Sequence, residues 1–457
     1  MPFDISALLR ERAGEGYALQ SRYVNAQVPR MLHAIGFDKE FVRAEGCHYW
    51  DANGERYLDM LAGFGVHAVG RNHPAVRAAL HAVLDAGLAD MLQFDAPLLM
   101  GVLAERLVER SPGLDRVYFA NSGGEAVEAA LKFARCATGK PRILYCENGY
   151  HGLTAGVLSV NGTASFRDGF DPLLPDTMVR FGVLDDIERE LRRGDVAALV
   201  IEPIQGKGVN IAPDGYLRAA RDLLHANGAL LIADEVQSGL GRTGRLYAHD
   251  YDDVQPDIVT VAKALSGGFV PVGATLMRDE IFAKVYSSLD RVFVHASTFM
   301  GNALAMAAGL ATLAVLDDEA LVENARARGD ELITGLRAIA AEQPTIFDVR
   351  GRGLMIGIEF GKPPTVRGTA MWTALNAARK GLFAQMVVVP LFARHRILTQ
   401  VAGDHMPVIK LIPPLVIASE DVTQFLDAFR DVVGEADHPT RLALDFGRTL
   451  AKQAMSR

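Results

Sequence analysis

"DIVTVAKALSGG", residues 257–268, sets a lysine between a β-branched run and a Ser-Gly-Gly turn. The run Ile258–Val261 has the composition of a strand buried on both faces. A lysine is expected in water, and its ammonium is costly to bury. Lys263 therefore stands where a buried strand would be expected to end, and the rest of the chain has to explain it.

The neighbouring sequence repeats the pattern. "RVYFA", "RILYC", "VAALVIEPI" and "ALLIADEV" are short apolar runs, and they alternate with helix-like stretches such as "GEAVEAALKFARCATG" and "GYLRAARDLLHANG". Alternation of this kind predicts an α/β fold with a mostly parallel sheet flanked by helices. After Gly301 a long alanine-rich helical stretch, 302–342, leads to strands near "VRGRGLMIGIEF" and "VIKLIPPLVI", the pattern of a smaller α+β domain. Residues 46–60, "GCHYWDANGERYLDM", predict a hairpin turning at Asn53-Gly54. The expected division is an N-terminal segment 1–70 packing on the small domain, a large domain 71–310 and a small C-terminal domain 311–457.

Composition removes several classes of function. The chain has 457 residues, 49% hydrophobic and 22% charged, enough for a large core in more than one domain. A net charge of -8 without a dense basic run gives no footprint for nucleic acid. The first twenty residues carry acidic groups and no long apolar core, so neither a signal peptide nor a membrane span is expected, and a cytoplasmic location follows by default. Cys47, Cys136 and Cys146 are an odd number at spacings that suit neither a disulfide framework nor zinc. No Gly-x-Gly-x-x-Gly lies between a strand and a helix, which counts against a nicotinamide-dependent dehydrogenase, and no segment is left over for the DNA-binding module of a regulator.

In open parallel sheets ligands bind beyond the carboxyl ends of the strands, and the unusual residues fall there. "NSGGEAVEAALKFAR" puts Ser122, Gly123 and Gly124 between a strand and a helix; this is an anion site or an ordinary serine cap. Asp234, in "LLIADEVQ", ends a buried run and is a cap, a metal ligand, a partner for a buried cation or the acid that keeps a pyridine nitrogen protonated. No His or Cys cluster lies nearby to support a metal. Tyr150, in "GYHG", offers an aromatic face or plain packing, and Ser297 and Thr298, in "HASTFMGN", offer hydroxyls to a phosphate. A phosphate cradle, an aromatic face, a carboxylate and a lysine are together what pyridoxal 5'-phosphate needs.

These motifs, with "IEPIQGKGV", "LLIADEVQSGLGRTG", "PDIVTVAKALSGG" and "STFMGNALA", occur in an order and spacing that resembles the class III aminotransferases from about residue 30 to 420. The resemblance implies the fold-type I architecture, pyridoxal phosphate, and a homodimer with shared active sites. It also implies ping-pong transfer of an amino group from an amine to a 2-oxo acid. It makes Lys263 the lysine that carries the cofactor and moves the proton, and Asp234 the partner of the pyridine nitrogen. Ser122, Gly123 and Gly124 become the phosphate turn, Thr298 a phosphate contact from the other subunit, Tyr150 and Val236 the two faces of the ring, and Gln237 a neighbour of the ring oxygen. Glu202 and Arg242 fall in family motifs as structural support.

The pattern breaks at two places. Where ornithine-type members carry a glutamate and an arginine, this chain has Lys207 and Lys410. Two cations cannot form that ion pair, and a lysine lacks arginine's bidentate fork. Either the lysines face the substrate or they point to solvent. Phe64, His67, Met91 and Phe94 fall in stretches that line the entrance in relatives, and as bulky groups they favour an apolar amine chain; core packing is the other reading of each. The expected donor is a primary amine, diamine or ω-amino compound, and the acceptor pyruvate or 2-oxoglutarate. The alternatives are an ornithine- or acetylornithine-type enzyme and another reaction of the same cofactor, such as an aminomutase or decarboxylase.

Overall fold

The computed structural model describes residues 3–434, apart from 92–94, 363–368, 371, 374–376, 378–380 and 404. Phe94 lies outside the described residues. Near the N-terminus, β1 (Phe41–Glu45), β2 (His48–Asp51) and β3 (Arg56–Asp59) form an antiparallel meander. The β2–β3 turn is the expected hairpin: the Asp51 carboxylate accepts from the Asn53 and Glu55 amides, and Gly54 takes a positive φ of 79°.

The central sheet is built from β4 (Arg116–Ala120), β5 (Arg142–Cys146), β6 (Thr177–Val179), β7 (Val196–Ile201), β8 (Leu230–Asp234), β9 (Ile258–Val261) and β10 (Gly273–Met277). Their spatial order is β4-β10-β9-β8-β7-β5-β6. All are parallel except β10, which runs against both β4 and β9. Every residue of β5, β7, β9 and β10 is buried, which is why these strands read as unbroken apolar runs rather than alternating ones. The helix Gly123–Thr138 starts on the Ser122 side chain and stops at Gly139 in the left-handed region; its alanine face, with Val127, Leu131 and Phe133, packs on the sheet.

A third sheet, β11 (Ile346–Arg352), β12 (Met355–Phe360), β14 (Gln400–Val401) and β15 (Val408–Leu411), is antiparallel throughout. Between them in sequence, β13 (Ile397–Leu398) leaves this sheet and pairs in parallel with β3, so the N-terminal meander is completed by a strand from the far end of the chain. The long alanine-rich stretch is two helices, Ala303–Asp318 and Leu321–Glu342, broken at Ala320, whose φ is 50°. Among the described residues no helix is long and apolar enough to cross a membrane.

The second of these helices lies very close to the β11–β12 hairpin. A Cβ at Gly329 would sit 2.2 Å from the Gly353 carbonyl oxygen. In an open helix, Gly→Ala stabilises by about 1 kcal/mol; here backbone meets backbone, and the sign reverses. Gly329→Ala is therefore expected to lower the thermal midpoint, as followed by circular dichroism.

Candidate active site

The parallel pairing of β8 and β9 puts Asp234 opposite Thr260, so Lys263 emerges just beyond the same edge of the sheet. Lys263 has a φ of 38° at the start of a short 3-10 turn, Lys263–Ser266. Holding a non-glycine residue there costs about 1–3 kcal/mol and persists only where the surroundings impose it. Burial lowers the Lys263 pKa from the usual range, against the opposing charges of Asp234 and Glu202. Its amine is thereby biased toward the neutral, nucleophilic form.

Asp234 is 3% exposed, and each of its two oxygens has a partner. One accepts from the Val236 amide at 3.0 Å and the Thr260 hydroxyl at 3.2 Å. The other lies 2.7 Å from His151 Nδ1. Burial disfavours the His151 imidazolium, but the hydrogen bond and charge of Asp234 outweigh that and hold its pKa above the usual value. Tyr150 stands at the end of β5 with its amide bound to Glu202 at 2.9 Å; the other Glu202 oxygen accepts from the Gly206 amide at 2.9 Å.

A cavity of about 450 Å³ is lined by Ser122, Gly123, Gly124, Tyr150, His151, Asp234, Val236 and Lys263, bringing together seven of the residues picked out for the cofactor. A second, of about 350 Å³, adjoins it through Tyr150, Asp234, Val236 and Lys263, and continues to Phe64, Phe166, Glu202, Lys207, Gln237 and Lys410. Both lysines in question thus face the site. Lys410, on β15 and 5% exposed, donates to the Gly206 carbonyl at 2.8 Å and to Gln237 Oε1 at 3.2 Å. Lys207 donates to the Thr163 hydroxyl at 2.8 Å and lies over the Phe166 ring at 3.9 Å. Its loop is clamped to the small sheet by Arg350, which donates to the Gly208 and Val209 carbonyls. Phe64 reaches the cavity because Ala62, Gly63, Phe64 and Gly65 all have positive φ; the Asp59 carboxylate, accepting from the Leu61 and Ala62 amides, starts that turn. Gln237 is held between the Phe64 carbonyl, to which it donates at 3.0 Å, and Lys410.

Four of the residues lie elsewhere. His67 lines neither cavity; it stands behind Gly268, where a Cβ would be 2.1 Å from its Nδ1, and burial together with Arg71 lowers its pKa to about 4. Met91 and Thr298 line a separate cleft of about 850 Å³. Arg242 is buried and donates to the Leu354 and Pro413 carbonyls, joining the loop after β8 to the small sheet. His151 is the member that sequence reasoning passed over; its neighbour in "GYHG" was chosen instead.

The residues present fit pyridoxal phosphate. The turn has no room for a side chain at Gly123, whose Cβ would be 2.8 Å from Val236 Cγ1, so its backbone lies open to an anion at the start of a sixteen-residue helix. His151 Nε2 is buried with no protein partner. The buried carboxylate and the half-buried lysine supply the remaining two requirements.

Comparison with known proteins agrees. The model of the class III aminotransferases matches residues 37–433, and the chain belongs to that family. Its cofactor is pyridoxal 5'-phosphate. It is 36% identical to the aminotransferase PigE of a Serratia species over 91% of this chain, but it spans only 52% of that protein. It is 37% identical to the acetylornithine aminotransferase of Methanopyrus kandleri, over 87% of this chain and 95% of the relative. A crystal structure of the ornithine aminotransferase from Toxoplasma gondii superposes with a TM-score of 0.83 at 31% identity, covering 96% of this chain and all of the other. A second structure of that enzyme describes partial occupancy of PLP at its active site.

Asp234→Asn keeps the shape of the side chain and removes its charge. The carboxylamide is expected to lower the rate of proton abstraction by about two to three orders of magnitude, as expected for one lost electrostatic contact of this kind, in stopped-flow half-reactions. An Asn variant with near-normal turnover would refute a role for that charge.

Proposed function

We propose that the chain takes its amino group from a primary amine or diamine without an α-carboxylate and passes it to a 2-oxo acid, pyruvate or 2-oxoglutarate. The observation that carries this reading is the position of Lys410, buried in the wall of a cavity that Phe64, Tyr150 and Phe166 also line. Among the described residues no carboxylate forms an ion pair with it. An acid gains from such a cation, and an uncharged amine chain gains nothing. The relatives named for acetylornithine and ornithine favour a second reading, an amino acid donor of that type.

When bound, pyridoxal phosphate supplies an aldehyde that captures amines and a protonated ring that accepts electrons. The protein's residues do the rest. Ser122, Gly123 and Gly124 would hold the phosphate, Tyr150 and Val236 the faces of the ring, and Asp234 its nitrogen, with His151 positioning that carboxylate. Lys263 would hold the aldehyde carbon and, once displaced by the donor, move a proton at the substrate carbon. Phe64, Tyr150 and Phe166 would flank that step. Its division at about residues 70 and 310 belongs to the same proposal, supported by the three separate sheets.

Such a donor preference is tested by varying both substrates in steady state. Lys410→Ala is expected to raise the acceptor's Michaelis constant about tenfold to hundredfold, the worth of one charged contact of about 1.5–3 kcal/mol, while moving the donor's little. Ornithine or 4-aminobutyrate as the best donor would refute the reading.

The same reading makes the chain a homodimer. Thr298 is exposed in the 850 Å³ cleft, with Leu98 and Phe293 exposed beside it, while the adjacent Ser297 accepts from Asn121 at 2.7 Å at the edge of the phosphate turn. Mixing Lys263→Ala with Thr298→Ala protein under subunit exchange should restore activity that neither parent has, because one site of each hybrid is intact. Hybrids no more active than the parents would place Thr298 in its own chain's site.

A further inference from the structure

Lys410 is held by two neutral oxygens, the Gly206 carbonyl and Gln237 Oε1. An ammonium has three N–H donors and a neutral amine two, so either form satisfies both partners and the hydrogen bonds do not fix the charge. Its other neighbours come from every side of the cavity. The Phe64 ring from the N-terminal segment lies 5.7 Å away, Lys263 and Asp234 stand at the ends of β9 and β8, and Glu202 and Lys207 follow β7. The amines of Lys263 and Lys207 and one nearby acid, Glu202, therefore act on a group 5% exposed.

We propose that Lys410 is a proton-gated carboxylate receptor: neutral while the amine donor fills the cavity, it takes one proton from solvent when the acceptor's carboxylate arrives. This rests on the reading above that the acid meets Lys410. Burial, helped by Lys263 and Lys207 and opposed by Glu202, lowers its pKa to about 7, so the charge can change within the physiological range. A carboxylate entering the cavity raises that value and draws the proton in, and the acid's affinity is present below pH about 7 and lost as the pH rises through it. The switch needs no acidic side chain to mask the cation during the donor half-reaction.

Glutarate, which lacks the reactive carbonyl, is the probe. Its binding to the holoenzyme is measured by calorimetry from about pH 6 to 9, in buffers of different ionisation enthalpy. Affinity should fall about tenfold per pH unit above the transition, with close to one proton taken up per glutarate on the alkaline side and little on the acid side. Lys410→Arg, always charged, should bind with a flat pH profile and no uptake, whereas Lys410→Met should bind weakly throughout. Flat wild-type binding without proton uptake, alongside weak binding by the Met variant, overturns the gate and leaves the acid contact standing. Uptake that survives in Lys410→Arg assigns the proton to Lys263, Lys207 or Glu202 and also overturns it. Unchanged glutarate binding in Lys410→Met removes the acid contact itself.

Discussion

The parallel register of two buried strands governs this site. Because Asp234 pairs with Thr260, a carboxylate and a lysine that water would keep apart are delivered to the same edge of the sheet, Lys263 just past the end of β9. Asp234 and Thr260 are the polar side chains of these two strands, and a slip would bury the acid without its Thr260 donor. The His151 contact, the phosphate turn and the aromatic wall are arranged around that pair.

Much of this was legible because the chemistry demands residue types that burial forbids. β4, β5, β7, β8 and β9 stood out as apolar runs, and Lys263 and Asp234 stood out as the charges that end them. Strand direction was less visible: "GATLM" has the same composition as its parallel neighbours, so nothing in it marks β10 as antiparallel. The break at Ala320 also passed unseen, since no glycine or proline punctuates it and only the backbone angle reports the turn. β6, with three residues, is too short to show a period.

Long-range placement was the harder part of the site. Lys207 and Lys410 read equally well as solvated side chains; only the clamp from Arg350 and the packing of β15 against β12 turn them inward. His151 carries no signal of its own in the sequence because its partner lies 83 residues away. His67 reads as an entrance residue in its own motif, yet the missing side chain at Gly268 lets it pack behind the turn after Lys263.

The pairing of β13 with β3 also sets a schedule. Ile397 meets Leu58 across more than three hundred residues, so a chain leaving the ribosome exposes the open edge of β3 until more than three hundred further residues have been made. Unpaired edges invite mispairing with other nascent chains. The β1–β3 meander is thus completed only after the central sheet that follows it in sequence has been made.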